Sequence, residues 1–281
     1  MTAPQRSRTQ TRTSQPIRRR TPPKPTIIMI HGYRGTHHGL LLIGKQLKNT
    51  MNVIIPDLPG FGRGAHLKHY DIDNYVEWLH GYIKKQGLRQ TPYLMGHSFG
   101  SIICAAYAKK YPKTIKKLIL VNPIGAPALE GPRRIFSKLA IVYYKIGAAL
   151  PDRAARAWLS SPLIVRIMSE TMAKTKDKEL RAFIHDQHRR YFSKFFNAQV
   201  ALEAFTASVS HDVSQYAKDI ETPTLLIAGS LDDITSLSDQ YALKKKFPHA
   251  RLKVIDNVGH LTHYETPDKV AAYIQAFIKS V

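Results

Sequence analysis

The residue with the clearest potential for chemistry is Ser98, which stands between two glycines in the segment Gly96-His97-Ser98-Phe99-Gly100. An apolar run, Tyr93-Leu94-Met95, precedes this segment, and a helical pattern over residues 101–110 follows it. A serine on a sharp turn between a strand and a helix is held in a strained, accessible position, and the residues two positions away on each side must be small. The pattern therefore predicts a nucleophilic serine.

Such a serine needs helpers, because its hydroxyl group is a weak nucleophile at neutral pH. It requires a general base, an acid that orients the base, and donors for the developing oxyanion. His260 follows the apolar run 252–255, and Asp232 and Asp233 follow the run 225–228. Catalytic groups in open parallel sheets gather at the carboxyl ends of the strands. We therefore expect His260 to be the base and one of the two aspartates to be the acid.

Two backbone N–H groups are candidates for the oxyanion hole. The loop His31-Gly32-Tyr33 follows the apolar run 27–30, so the amide of Tyr33 can point at the developing charge. The amide of Phe99, directly after the serine, supplies the second donor.

The elements that must position these groups alternate regularly from Thr26 onward. Short apolar runs are separated by longer helical stretches, a pattern typical of strands buried on both faces and joined by helical crossovers. The sequence predicts an α/β fold with a mostly parallel sheet of about six strands and helices on both faces. The predicted strands are residues 27–30, 53–55, 93–95, 118–121, 225–228 and 252–255.

One interval, residues 124–218, breaks this alternation with helical patterns alone. The patterns cover residues 135–150, 153–172, 178–196 and 198–210. An insert of this length is too long for a structureless loop, so we expect a helical lid over the strand ends. The predicted organisation is a basic arm (1–25), a first part of the core (26–123), the lid (124–218) and a second part of the core (219–281). The lid aromatics either line an acyl pocket or pack as core: Tyr143, Tyr144, Trp158, Phe183, Phe192, Phe195 and Phe196.

The chain resembles the α/β-hydrolase fold family in five ordered segments between residues 26 and 281. They are His31-Gly32-Tyr33, Asp57-Leu58-Pro59-Gly60-Phe61-Gly62, Gly96-His97-Ser98-Phe99-Gly100, Gly229-Ser230-Leu231-Asp232, and Gly259-His260 followed by Glu265-Thr266-Pro267. The order Ser, Asp, His is the order of that family. The resemblance implies Ser98 as nucleophile, Asp232 as acid and His260 as base, with the Tyr33 and Phe99 amides as oxyanion hole. Asp233 is the competing acid, and Asp232 is preferred for its family spacing from Gly229.

The serine at this turn narrows the implied chemistry. Relatives that open epoxides or displace halide carry Asp there, so acyl transfer fits this chain better. The implied activity is a serine hydrolase that cleaves a small or medium carboxylic ester, without cofactor or metal. Thioesterase, lipid esterase and carbon-carbon bond hydrolase are alternatives on the same residues. The chain departs from many relatives in one respect. Many of them have two further strands ahead of the loop that corresponds to His31-Gly32, and here the basic arm (residues 1–25) stands in their place.

The charge of the chain points to partners rather than to a reaction. The sequence has 42 basic and 20 acidic residues, a formal net charge of +22. Seven of the basic residues and four prolines lie in residues 1–24 with no acid, which predicts a disordered arm. The arm is either a solvated tail or a weak contact for anionic membrane or nucleic acid. A non-catalytic protein that binds such a partner is the competing class of function, and the oligomeric state is open.

The remaining residue types exclude other classes of site. Cys104 is the one cysteine, so an intramolecular disulfide is impossible, and a reduced cytoplasm is the expected location. We expect Cys104 to be a small buried apolar residue. No apolar run has the length of a membrane helix. The nearest histidine clusters lack the spacing of metal ligands, and we expect exposed side chains at His37, His38, His66, His69, His185 and His188.

Overall fold

Six strands form one sheet in the computed structural model, which describes residues 24–130 and 134–280. The sheet order is β2-β1-β3-β4-β5-β6, and every neighbouring pair is parallel. The predicted α/β class with about six parallel strands is therefore confirmed. The strands are β1 (Thr26–Ile30), β2 (Asn52–Ile54), β3 (Tyr93–His97), β4 (Leu118–Val121), β5 (Thr224–Gly229) and β6 (Ala250–Ile255).

Twelve α-helices are found in the described part of the chain, and a 3-10 helix (His37–Leu40) precedes the first of them. Those outside the interval between β4 and β5 are α1 (Leu41–Leu47), α2 (Ile72–Lys85), α3 (Phe99–Lys110), α10 (Leu237–Lys246), α11 (Thr262–Glu265) and α12 (Pro267–Lys279). Those inside it are α4 (Arg134–Ala149), α5 (Asp152–Leu159), α6 (Pro162–Met172), α7 (Lys178–Tyr191), α8 (Ala198–Ser210) and α9 (Ser214–Ala217). Side-chain oxygens of Asp71, Asp177 and Asn197 cap the starts of α2, α7 and α8.

The core lies on both faces of the sheet because successive strand residues point to opposite sides. In β1, Ile27 and Met29 pack with α1 and α12 on one face. Ile28 and Ile30 pack with α2 and α3 on the other. The central strands β1, β3, β4 and β5 are almost entirely buried, whereas the edge strand β6 alternates between covered and exposed residues. This arrangement is why the central runs are continuously apolar in the sequence.

Helices α4 to α9 form what we call the insert (residues 122–223, between β4 and β5), and they follow the predicted pattern only in part. The single predicted helix over residues 153–172 is two helices, α5 and α6, because the chain turns at Ser160 and Ser161 and Pro162 begins the second. The predicted helix 178–196 ends at Tyr191, and the helix 198–210 has the predicted bounds. The role of the insert as a lid stays a prediction. The predicted arm, residues 1–25, lies outside the described residues except for its last two.

Two histidines contradict the expectation of exposed side chains. His185 and His188 are buried between α6 and α7, where both rings contact the hydroxyl oxygen of Ser169 at 2.6 and 2.7 Å. The prediction of exposed side chains failed because α6 packs on the face of α7 that carries these histidines. Most of the residues around them are polar, so the sequence alone gives no sign that this face is covered. His66 and His69 are exposed, and His37 and His38 are partly covered. Cys104 is buried as expected. No helix in the described residues combines the length and apolar character that spanning a membrane requires.

Candidate active site

Ser98 occupies a strained turn between β3 and α3. Its backbone has φ 53° and ψ −120°, a conformation with positive φ that is rare for a residue with a side chain. A Cβ atom at Gly96 would collide with the carbonyl oxygen of Gly100, and one at Gly100 would collide with that of Ile30. The amide of Ser98 donates to the Val121 carbonyl oxygen at 3.1 Å, which ties the turn to β4. Both flanking glycines are therefore required by the close approach of neighbouring backbone.

His260 and Asp232 complete a chain of hydrogen bonds with this serine. The Nε2 atom of His260 lies 2.9 Å from the Ser98 Oγ atom, and its Nδ1 atom lies 2.8 Å from the Asp232 Oδ2 atom. Asp232 follows β5, and His260 lies in the loop after β6, so the sheet brings both to the carboxyl edge where β3 ends. With Nδ1–H donated to the carboxylate, the Nε2 lone pair faces the serine hydroxyl, which is the arrangement a general base needs.

The carboxylate of Asp232 is buried and fully surrounded by donors. Its Oδ1 atom accepts from the amides of Ile234 at 2.8 Å and Thr235 at 3.0 Å. Its Oδ2 atom accepts from the Thr235 hydroxyl at 2.5 Å and the Asn122 amide at 2.8 Å. Burial by itself raises the pKa of Asp232, but the adjacent His260 and these donors outweigh it and hold the pKa well below its ordinary value. Asp232 therefore stays ionised throughout the neutral range.

Asp233, the competing acid, points away from this network. Its side chain is exposed and forms an ion pair with Lys174 of the loop between α6 and α7. Of the two candidates, Asp232 is the one whose carboxylate reaches His260.

Asn122 is a site residue that the sequence reasoning missed. It follows β4 with φ 44° and is completely buried. Its side-chain nitrogen donates to Asp232 and, at 3.3 Å, to the Gly259 carbonyl oxygen, and its side-chain oxygen accepts from the Thr262 hydroxyl at 2.5 Å. Asn122 thereby joins the segments that carry the acid and the base. The available signal was an amide side chain directly after a buried strand, at the same sheet edge as the other groups.

The two predicted oxyanion donors lie on the loop and the helix that meet at Ser98. Phe99 is the first residue of α3, so its N–H has no acceptor within the helix. The N–H of Tyr33 lies inside a turn that Gly35 closes by donating to the Gly32 carbonyl oxygen at 3.1 Å. A Cβ atom at Gly32 would stand 3.2 Å from the Cβ atom of Ser98, so this turn passes directly beside the serine. In the described residues, neither amide is used in a backbone hydrogen bond.

His31 fixes the shape of that loop. Its Nε2 atom accepts from the amide of Leu58 at 2.8 Å, which leaves Nδ1–H to donate to the Gly32 carbonyl oxygen at 2.9 Å. Burial lowers the pKa of His31 to about 4, so the ring is neutral and keeps this tautomer at neutral pH. The sequence showed the loop but not this role for its first residue.

Arg34, also missed, fastens the insert to the same loop. It is fully buried with φ 58°. Its guanidinium donates to the carbonyl oxygens of Phe192 at 3.0 Å and Leu159 at 2.7 Å, and to the hydroxyls of Tyr144 at 3.3 Å and Ser193 at 3.0 Å. These partners come from α4, from the end of α5 and from the segment after α7. One side chain next to Tyr33 thus holds three parts of the insert.

Aromatic rings fill the space between Tyr33 and the insert. The Tyr33 ring makes edge contacts with Phe99 and Tyr144, at centroid distances of 6.4 and 5.7 Å, and a tilted contact with Phe205 at 5.4 Å. Its hydroxyl donates to the Ala201 carbonyl oxygen at 2.8 Å. Tyr144 is therefore placed at the junction of core and insert. Whether these rings line an acyl pocket stays a prediction.

Two further imidazoles, those of His97 and His263, lie beside His260. The Nε2 atom of His97 is 3.2 Å from the His260 carbonyl oxygen, and the ring of His263 lies 4.1 Å from that of His97. Burial lowers the pKa of His97 to about 3 and that of His263 well below its ordinary value. Both rings are neutral near pH 7 and add no positive charge around His260. No cluster of metal-ligating side chains is found in the part of the chain that the structure describes.

The comparison with protein families places the chain in the α/β hydrolase fold family, whose model matches residues 25–267. The chain belongs to this family, and the predicted resemblance is confirmed.

Individual relatives are distant but cover most of the chain. Human monoacylglycerol lipase ABHD6 is 24% identical over 269 residues, which cover 92% of this chain and 76% of that protein. Lipase 1 of Psychrobacter immobilis is 27% identical over 263 residues, covering 89% and 76%. Among solved structures, a thermophilic esterase from Thermogutta terrifontis superposes with a TM-score of 0.75 at 21% identity, covering 92% of this chain and 90% of that one. Together with the family match, these likenesses identify the chain as an α/β hydrolase.

Proposed function

We propose that the chain hydrolyses small or medium carboxylic esters through an acyl-enzyme on Ser98. The observation that carries this proposal is the pair of hydrogen bonds from His260, 2.9 Å to the Ser98 hydroxyl and 2.8 Å to Asp232. A hydroxyl, an imidazole and a buried ionised carboxylate in this order form the arrangement that makes serine a nucleophile.

The first half of the proposed reaction forms the acyl-enzyme. His260 Nε2 takes the Ser98 proton while Oγ attacks the acyl carbon, and the carbonyl oxygen becomes an oxyanion that the Tyr33 and Phe99 amides stabilise. His260, now protonated, gives its proton to the departing alcohol as the carbon-oxygen bond breaks. The ionised Asp232 stabilises the imidazolium during this step, which its low pKa permits.

The second half reverses these roles with water. His260 removes a proton from a water molecule, the resulting hydroxide attacks the acyl carbon, and the bond to Ser98 breaks as Oγ recovers a proton from His260. The products are the free acid and the original enzyme. Every proton in this cycle passes through His260, and no cofactor or metal takes part.

A lipid ester is the second candidate substrate, and the relatives favour it. Two of them carry the names monoacylglycerol lipase and lipase. The same residues serve a thioester or a carbon-carbon bond substrate, so the nucleophile alone does not select among them. The non-catalytic class is disfavoured because the hydrogen-bonded series from Ser98 to Asp232 is complete. A cytoplasmic location and a contact of the basic arm with anionic membrane or nucleic acid belong to the proposal as further expectations.

Labelling with a fluorophosphonate probe tests the nucleophile. Wild-type protein is expected to be labelled, and Ser98→Ala is expected to be unlabelled while melting at a similar temperature. Ser101→Ala is the matched control, since Ser101 lies one helical turn away and donates to the Ser98 carbonyl oxygen at 2.5 Å. Its labelling should persist. Absence of labelling in folded wild-type protein contradicts the proposal.

A substrate panel then separates the candidate classes. The panel pairs p-nitrophenyl esters of increasing acyl length with the matching thioesters and with monoacylglycerols. Short esters as the best substrates support the small-ester proposal, and a rate that rises steadily toward monoacylglycerols supports the lipid ester. A preference for thioesters overturns both.

A further inference from the structure

Helix α4 carries an exposed apolar face that the fold does not use. Four of its apolar side chains recur at spacings of four, three and four residues and are exposed to solvent: Ile135, Leu139, Val142 and Ile146. At about 100° per residue these positions fall within about 60° of one another on the helix. Phe136, 72% exposed, borders this face on one side. We call these five side chains the α4 apolar face.

The opposite side of α4 is anchored in the protein. Tyr144, about 180° from Ile135 on the helix, is buried against Tyr33 and Phe205. A Cβ atom at Gly147 would press on the side chain of Leu159. The helix is thus packed by its inner side, and its apolar face points away from the molecule.

The charges on α4 favour a negatively charged partner. Lys138 and Lys145 are exposed and, seven residues apart, lie on one line beside the apolar face. The helix contains no acidic residue. Next to it, the half-exposed Trp158 is fixed by a hydrogen bond from its indole N–H to the Tyr143 carbonyl oxygen at 3.2 Å. Apolar side chains bordered by lysine and a half-exposed indole are typical of helices that lie in a membrane interface.

We propose that the α4 apolar face docks the enzyme on an anionic lipid surface, with α4 lying parallel to the membrane and its apolar side chains among the acyl chains. Lys138 and Lys145 would then contact the lipid headgroups. This proposal deepens the lipid-ester candidate, because α4 is joined through Tyr144 to Tyr33 and Arg34 beside the nucleophile. Docking through α4 places the insert at the surface where lipid esters reside.

Sedimentation with vesicles tests the apolar part of the proposal, using the full chain. The vesicles contain phosphatidylcholine alone or equal parts of phosphatidylcholine and phosphatidylserine. Wild-type protein is expected to bind the anionic vesicles, and Phe136→Ser is expected to bind them at least tenfold less. Tyr241→Ser is the matched control, since Tyr241 is a 53% exposed aromatic residue on α10. Equal binding by wild type, Phe136→Ser and Tyr241→Ser overturns the proposal.

A second experiment compares the loss of two positive charges on α4 with the loss of two on another exposed helix. The change Lys138→Gln with Lys145→Gln removes two charges from α4, and Lys244→Gln with Lys245→Gln removes two from α10. We expect the α4 pair to bind anionic vesicles about 25-fold less, at about fivefold per lysine, and the α10 pair to bind within twofold of wild type. An equal loss in both pairs contradicts docking through α4.

Two controls keep this inference separate from the proposed reaction. Ser98→Ala is expected to bind vesicles as wild type does, because docking needs no chemistry. If wild-type protein binds vesicles normally but hydrolyses no ester, the proposed reaction is wrong and the proposed docking surface is still supported. A second copy of the chain is the rival occupant of the α4 apolar face. Light scattering that shows a dimer dissociated by Phe136→Ser overturns docking on lipid.

Discussion

Two regions of the molecule each bury one charged side chain, and the two differ in their partners. Asp232 lies at the carboxyl edge of the sheet, and Arg34 lies at the junction between core and insert. Asp232 has an ionisable partner, His260, and four further donors. Arg34 contacts carbonyl oxygens, hydroxyls and the faces of Phe192 and Phe195, at 4.8 and 5.3 Å from the ring centroids. No carboxylate is among its hydrogen-bond partners in residues 24–130 and 134–280. The charge of Asp232 thus faces a group that changes its protonation in the proposed reaction, whereas the charge of Arg34 faces fixed dipoles.

This difference separates a chemical role from an architectural one. A carboxylate beside an imidazole favours the protonated ring, so its charge acts in the transition state. A guanidinium that donates to the backbone of several segments fixes their positions and acts in every state of the protein. Changing Asp232 should therefore affect mainly the rate, and changing Arg34 should affect mainly the stability.

The largest expected effect is on the rate of Asp232→Asn. The amide cannot hold the His260 tautomer or stabilise the imidazolium, so we expect kcat/KM for a p-nitrophenyl ester to fall by about 10³- to 10⁴-fold. Asp233→Asn, one residue away and exposed, is the matched control and should change kcat/KM less than twofold. Steady-state kinetics of both variants checks this. If kcat/KM falls strongly in Asp233→Asn and little in Asp232→Asn, then Asp233 rather than Asp232 is the acid that orients His260.

The second effect is a loss of stability in acid, which compares the histidines of the two regions. Burial lowers the pKa of His31 to about 4 and of His97 to about 3 at the sheet edge, and of His188 to about 4 in the insert. Their unfolded pKa is about 6.5, so between about pH 6.5 and pH 4 the unfolded chain binds more protons than the folded one. The free energy of unfolding must therefore fall as the pH falls through this range.

The expected slope is up to about 1.4 kcal/mol per pH unit for each of these histidines. Urea unfolding at about pH 7.5, 6.5, 5.5 and 4.5 measures this slope. These values span the range set by the folded and unfolded pKa values. His188→Gln should reduce the slope by the contribution of one histidine. The contribution of His31 and His97 at the sheet edge should remain. A slope unchanged by His188→Gln would show that His188 does not contribute to the acid sensitivity.

The fold and the candidate reacting groups were accessible from the sequence because both depend on local patterns. Continuous apolar runs gave the strand positions to within a residue or two, and the Gly-x-Ser-x-Gly segment located Ser98 without knowledge of distant contacts. The same reasoning overlooked Asn122 and Arg34, since each acts through partners more than a hundred residues away. It also misjudged His185 and His188, whose burial depends on how α6 packs on α7. Tertiary packing decided each of these cases.

The smallest of the three effects, the loss of stability on changing Arg34, tests the architectural role directly. Arg34→Met keeps much of the buried volume but leaves the carbonyl oxygens of Leu159 and Phe192 without their donors, which should lower the free energy of unfolding by about 2–4 kcal/mol. Arg34→Lys retains the charge but not the fork of donors, so its loss should be intermediate. Urea unfolding measures the loss of stability in both variants. It is carried out at about pH 7.5, one pH unit above the unfolded pKa of histidine, so that the histidines do not contribute.

The exposed Arg63→Met is the matched control for this loss and should stay within about 0.5 kcal/mol of wild type. The rate of Arg34→Met on a short ester should fall by about tenfold, far less than that of Asp232→Asn, because only the loop that carries Tyr33 is loosened. A rate loss as large as that of Asp232→Asn with unchanged stability would contradict the separation of roles. It would mean that the guanidinium acts on the reacting groups themselves, and that the insert is held to the core by other contacts.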